Sequence, residues 1–479
     1  MVKRISRLTA GAALRALLAI APLALTGAPS SASAAIEPPF SAAERALILP
    51  ALDDCAAGGP ARLGPLDDEG LHSALVDRAT IDLGQRVRPS QVDSFWAIEP
   101  ARRDVAAELD AARAQGRLQG WIAGLAPTDP RYRALAAACR DYAGLVAAGG
   151  WDALPEGSTL RPGQRDPQVP PLRLRLAREG FGPATAEDPD LFDEVLADGL
   201  RRFQASRSLE VDAVLGPRTR AALNVTAEAR LTQIQMNLER WRWLPRRLPD
   251  ERMEVDIAGA EATYFRGGAP ALAMRVVVGD PNHHTPMFAS RIESIVFNPP
   301  WNVPSSIATK EILPKAARDS GYLARNGFSF VDGRLVQRPG PKNSLGVVKF
   351  DLPSPFGVYL HDTPGKSAFS RVDRALSHGC MRLEKPKELA AVLLGRQGAR
   401  EETVEQAIAA AATSRVALDT SVPLYVAYWT AVVDEAGRTN FRPDVYGWDA
   451  KLAAALAAAA PDRRAAMSRG DTDCATAGD

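Results

Sequence analysis

Two stretches decide how this chain is read: Tyr359-Leu360-His361-Asp362-Thr363 and, after a loop, Ser377-His378-Gly379-Cys380-Met381-Arg382. A thiol is a nucleophile only as thiolate, so a reactive cysteine needs a base or positive surroundings, and here two histidines lie near one sulfur in sequence. Tyr359 and His361 have strand spacing and share a face, with Val358 and Leu360 on the other, so the imidazole is expected at a strand end. Cys380 follows His361 by nineteen residues, and the small, polar residues between them allow the chain to loop back and bring sulfur to imidazole. Pro386 suits the first turn of a helix whose stripe is Leu389, Val392 and Leu393, which puts Cys380 in a short turn between a strand and a helix. Gly379 permits tight backbone geometry there, and the amides around Gly379 and Cys380 are candidate donors to an oxyanion.

A lone cysteine is more often a buried small hydrophobe, and a lone histidine a satisfied polar residue. The ordered set is what favours acyl transfer. A zinc site from His361, His378 and Cys380 is the rival, but there is no second Cys/His pair at finger spacing and no His-Glu-x-x-His, and acyl transfer by a thiol requires neither metal nor organic cofactor. The adjacent His283 and His284 point opposite ways on an extended chain and read as surface or edge residues.

The segment resembles the active-site signature of the L,D-transpeptidases, the YkuD-type catalytic domain: a histidine, a spacer, Ser/Thr-His-Gly-Cys, then Arg or Asn. His361, Ser377, His378, Gly379, Cys380 and Arg382 meet it. The resemblance implies Cys380 as nucleophile, His361 as general base, and His378 with Gly379 as supports of the site. Arg382 would contact substrate, with Ser377, Tyr359 and Trp301 beside it, although Trp301 also fits the core. It further implies peptidoglycan stem peptides as substrates, carbapenem-type inhibitors, other cell-wall synthesis enzymes as partners, and 3-3 cross-links made through a thioester with loss of D-alanine. Asp362 is read either as a holder of the acceptor ammonium or as a loop residue. The same site could serve a hydrolase that trims stems or cleaves attached protein, and a wall-binding protein with a dead site is the third reading.

The remainder suits an exported, multidomain protein. Its 479 residues allow two to four domains, and 46% hydrophobic with 24% charged residues is ordinary globular composition. Lys3, Arg4 and Arg7 precede an apolar run over 16–25 and an Ala32-Ser33-Ala34 cleavage pattern, so residues 1–34 read as a signal peptide, too short in its apolar part to span a membrane stably. Periplasm or cell envelope is the expected location. Without the signal, 54 basic residues face 57 acidic ones, and no basic field supports nucleic-acid binding. Four cysteines are too few for a disulfide scaffold. Cys139 shares a helical stripe with Leu135, Tyr142 and Val146 and reads as a core thiol; Cys55 is left to pair with Cys139 or Cys474, and Cys380 must stay reduced.

The expected fold class is multidomain α+β. Residues 35–155 read as a helical domain, similar to the scaffold of large YcbB-type members at Tyr132-Arg133-Ala134-Leu135 and 147–151. Residues 156–171, rich in Pro, Gly and charge, read as a linker. Residues 172–226 resemble the small three-helix peptidoglycan-binding module through Phe192-Asp193, Phe203-Gln204, Leu209, Asp212, Gly216, Thr219 and Ala222-Leu223-Asn224. They depart from it at Ala213, where Asp-Gly is usual. Residues 227–250 read as a connecting helix with Ile234, Leu238 and Trp241 on one face and Trp243 off it. Residues 251–448 read as a mainly β catalytic domain, with strands at 253–257, 271–278, 292–297, 347–352 and 356–361 and a capping insertion at about 305–345. Thr285-Pro286 and 298–304 also resemble YcbB-type sequences. Residues 449–479 read as a C-terminal helix and tail.

Overall fold

The computed structural model describes residues 39–52, 55, 66–400 and 402–459. The expected signal peptide, Cys474 and the C-terminal tail lie outside the described residues. Among the described residues no helix is long and apolar enough to cross a membrane.

In the helical region, Asp68–Asp82, Val105–Ala114 and Pro130–Ala147 each follow an aspartate (Asp67, Asp104, Asp129) whose carboxylate accepts a main-chain N–H of the first turn. Cys139, on the last of these helices, is joined to Cys55 by a disulfide. Of the two readings left open for Cys139, a core thiol or a partner for Cys55, the disulfide holds. The bridge spans a sequence separation of 84, for which the loop-entropy argument gives stabilisation of roughly 4–5 kcal/mol.

Residues 156–171 do not form a linker. Leu160 is buried and bridges to Leu215, Arg165 bridges to Leu191, and Val169 already begins the helix Val169–Arg178. Composition pointed to a linker, but the segment's own Leu160 and Val169 fill the module's core. That core also holds Leu172, Phe192, Leu200, Phe203 and Leu223, from the helices Val169–Arg178, Glu194–Ser206 and Pro217–Leu223 and the segments between. Gln204 ties the loop after the second helix: its amide nitrogen donates to Asp212 Oδ1 at 2.8 Å and its oxygen accepts from Ala213 N–H at 2.9 Å. Ala213 sits at φ 58° with its methyl fully buried. Left-handed backbone costs alanine about 1–2 kcal/mol, whereas removing a buried methyl costs about 0.8 and a glycine adds about 0.5–1 of unfolded-state entropy. Ala213→Gly should thus leave stability within about 1 kcal/mol of wild type, which urea unfolding will measure.

The module is held to the helical domain by a buried carboxylate. Glu179 receives the Tyr142 hydroxyl at 2.7 Å and pairs with Arg175 and Arg207. The helix Ala227–Trp243 then runs through the interior. Trp241 stacks on Trp429, and Trp243, off the expected stripe, is buried against Trp96. A helix wrapped on both sides has no polar face for periodicity to reveal.

Residues 251–448 are built on a closed sheet. Met287–Phe297 pairs with Ser414–Ala427, which lies parallel to Arg252–Asp256; Glu261–Arg266, Ala269–Gly279, Met381–Leu383, Leu360–His361 and Val348–Asp351 follow, and the last pairs back to Met287–Phe297. Closure leaves few open edges. The strand expected over 356–361 shrinks to Leu360–His361, and Glu261–Arg266, Ala375–Ser377 and Met381–Leu383 are strands the sequence reading did not find. Between Trp301 and Val348 the chain leaves the sheet for a cap. Short helical segments from Ser305 to Arg325 pack on a three-stranded sheet of Trp301–Asn302, Arg334–Gln337 and Phe328–Val331, around Val303, Ala308, Ile312 and Leu335.

Candidate active site

Cys380 lies in the turn between Ala375–Ser377 and Met381–Leu383, and the helix Pro386–Gly395 begins only after the second strand. The expected strand–turn–helix is therefore strand–turn–strand, because three-residue strands are too short to show a period. The turn is braced from three sides. Ser377 Oγ donates to Cys380 C=O at 2.6 Å and accepts from Gly379 N–H at 3.1 Å. Thr285 Oγ1 donates to Gly379 C=O and accepts from Gly279 N–H, both at 2.8 Å. Tyr446 donates to Gly279 C=O at 2.6 Å. Gly379 adopts φ 102°, where a side chain would be strained.

Ser377 lines the cavity but is almost fully buried, with its hydroxyl committed to the turn that carries Cys380. The Gly379 N–H is already bonded to Ser377, which removes it as an oxyanion donor.

Cys380 is the free cysteine among the described residues, and it is partly accessible. It opens on a cavity of about 410 Å³ lined also by Tyr359, His361, His378, Arg382, Trp301 and Glu311. The register explains the grouping. Leu360 pairs with Met381 and His361 with Arg382 in parallel, so Tyr359, His361, Cys380 and Arg382 share one face. His361, paired with Arg382, and Cys380, two positions before Arg382, are thus diagonal neighbours on that face.

Burial pushes the Cys380 thiol above its ordinary value, against the Tyr359 main-chain N–H, Arg382, Lys349 and the Tyr359 hydroxyl, which favour thiolate. His361 is driven the other way. Burial, then Arg382, lower it to about 3, so its imidazole is neutral at physiological pH. His361 Nδ1 lies 2.5 Å from Asp362 C=O; a carbonyl only accepts, so Nδ1 carries the proton and Nε2 is the basic nitrogen. Thiol and imidazole are therefore both neutral at rest.

Tyr359 packs edge-on to His361 with Lys349 over its ring at 4.6 Å, and Trp301 bonds to its hydroxyl. Trp301 thus lines the cavity, half-buried between cap and barrel. His378 faces the cap, its Nε2 2.6 Å from Glu311 Oε1 and its ring 4.5 Å from that of His283. His283 is exposed and bonded to Asp280, whereas His284 stacks on Tyr446 at 4.2 Å and belongs to the aromatic packing around Trp448. Asp362 is a loop residue: its carboxylate is buried on Lys366 and the Val347 N–H. Glu311 was missed because it sits in the cap, far from the motif in sequence. Among the described residues no cluster of His, Cys, Asp and Glu suits a metal ion.

Residues 250–409 match a model of the YkuD L,D-transpeptidase catalytic domain, residues 165–223 one of a proposed peptidoglycan binding domain, and residues 69–138 one of a scaffold domain. The chain is 31% identical over 246 residues to a Haemophilus influenzae protein whose name proposes an L,D-transpeptidase. That alignment takes in 47% of this chain and 50% of the relative, so the chain spans about half of that protein's length. An L,D-transpeptidase from Mycobacterium smegmatis aligns in structure over 37% of this chain and 58% of its own, with TM-score 0.20 and 16% identity. One from Xylanimonas cellulosilytica aligns over 57% and 98%, with TM-score 0.17 and 12% identity. Scores that low carry no geometric correspondence.

Proposed function

We propose that this protein, whose residues 250–409 match the YkuD-type L,D-transpeptidase catalytic domain, cross-links peptidoglycan stems through a thioester on Cys380. The observation that carries the reading is the reduced Cys380 sharing one cavity wall with His361, whose tautomer Asp362 C=O sets, and with Arg382. His361 Nε2 takes the thiol proton as sulfur attacks the carbonyl between the third and fourth residues of a stem. The same proton then goes to the departing D-alanine amine. A neutral base and a neutral thiol suit this concerted transfer, because burial disfavours a standing thiolate–imidazolium pair.

Charge on the tetrahedral oxygen falls to the Cys380 N–H and to Arg382, where one donor can be worth roughly 3 kcal/mol. No ion pair engages Arg382 among the described residues, which leaves its guanidinium for substrate carbonyls or the D-alanine carboxylate. The amine of a neighbouring stem then opens the thioester and makes the 3-3 cross-link. Action on the wall places the protein outside the cytoplasm, and the Cys55–Cys139 bridge suits an oxidising compartment.

Purified full-length protein mixed with tetrapeptide muropeptides tests this. Mass analysis should find dimers and free D-alanine, with a carbapenem adduct on Cys380 in parallel. Tripeptide monomers without dimers would refute cross-linking in favour of hydrolysis.

A further inference from the structure

The acyl-transfer reading leaves open how the second substrate is recognised. Its amine has a pKa of about 10, so it arrives as an ammonium. Such a group calls for a carboxylate at the mouth of the site, close to the thioester but away from the base that works on sulfur. Among the residues lining the cavity, Glu311 is the one carboxylate and Arg382 the one Lys or Arg, so the cavity has a negative pole on the cap and a positive pole beside the thiol.

The other nearby acids are occupied. Asp362 is buried on Lys366 and the Val347 N–H. Asp351 is held by Lys349 at 2.7 Å and by Arg415. Asp280 holds His283 and is not part of the cavity lining. Glu311, by contrast, keeps 42% of its side chain exposed, with Oε1 bonded to His378 Nε2. His378 stands two residues before Cys380, and Glu311, His378 and Cys380 line the same cavity.

We propose that Glu311 is the acceptor-binding residue: its carboxylate, steadied by His378, holds the ammonium of the incoming stem on the cap side of the cavity and thereby favours aminolysis of the thioester over hydrolysis. The ammonium gives one proton to water. The resulting amine adds to the thioester carbonyl, the C–S bond breaks as the amide forms, and the second nitrogen proton passes through His361 to the departing sulfur, restoring the thiol. The inference rests on the function proposed above, and it makes the cap part of substrate selection.

The test compares wild type, Glu311→Gln and Glu311→Asp as full-length proteins on tetrapeptide muropeptides whose third residue bears a free amine. Dimers and tripeptides are counted, and carbapenem adduct formation on Cys380 is timed separately. Loss of a charge-assisted contact should lower the dimer-to-tripeptide ratio ~10-fold in E311Q. Adduct formation should slow far less, E311D should recover part of the ratio, and more acceptor should restore dimers. An unchanged ratio in E311Q would overturn the proposal, as would adduct formation falling as far as dimer yield, which would make Glu311 only a positioning residue for His378. A wild type that never forms the adduct would remove the acyl-enzyme reading itself and this inference with it, a result distinct from normal acylation with an unresponsive ratio.

Discussion

Cys380→Ser should lower cross-linking of tetrapeptide muropeptides by on the order of 10⁴-fold or more, the scale seen when a covalent nucleophile is removed, while the melting transition barely moves. An alcohol is far less acidic than a thiol, and the neutral His361 is a weak base that burial discourages from becoming a cation. The partly accessible thiol tolerates an isosteric exchange without opening a cavity. Steady-state dimer formation and a thermal melt check both halves of the statement. Cross-linking near the wild-type rate in the serine variant would remove Cys380 from the mechanism.

His361→Gln should lower acylation of Cys380 by roughly 10²–10⁴-fold, the usual worth of a positioned general base. It also has a pH signature. The folded-state pKa of about 3 lies below the ordinary 6.5, so between those values the unfolded chain binds a proton that the native protein does not. His361 therefore costs no stability above pH 6.5 and lowers stability as pH falls from 6.5 toward 3. The slope is at most about 1.4 kcal/mol per pH unit and the total about 5 kcal/mol. Urea midpoints taken from pH 7 to pH 4 should fall more steeply in wild type than in H361Q. In wild type the acylation rate should stay flat down to about pH 5, since the base does not protonate near 6.5. Equal slopes in the two proteins, or an acid limb centred near pH 6.5, would show that the buried neutral imidazole is misassigned.

Much of the site was legible because it is local. His361, Ser377, His378, Gly379, Cys380 and Arg382 fall within a short span, and alternation along Tyr359 and His361 already puts both on one face. The helix Ala227–Trp243 showed in its apolar spacing, whereas the three-helix module and the cap were expected from family resemblance. What escaped had no local signature. The strands Ala375–Ser377 and Met381–Leu383 are too short for a pattern, and the Cys55–Cys139 bridge joins distant positions that composition could not choose between. Residues 156–171 looked like a linker because turn residues outnumber the two apolar side chains, Leu160 and Val169, that bury them.

Chain chemistry alone singled out Cys380 as the candidate nucleophile and His361 as the candidate base, and it marked residues 251–448 as mainly β, since the motif and the strand alternation are written close together in the chain. Only tertiary structure decided how those groups behave. Burial and Arg382 set His361 neutral, the Asp362 carbonyl selects its tautomer, Ser377 and Thr285 hold the turn, and the cap brings Glu311 to His378 across a gap of 67 positions in the chain. Proton affinity and long-range pairing depend on what surrounds a side chain in space, and that neighbourhood exists only once the sheet has closed.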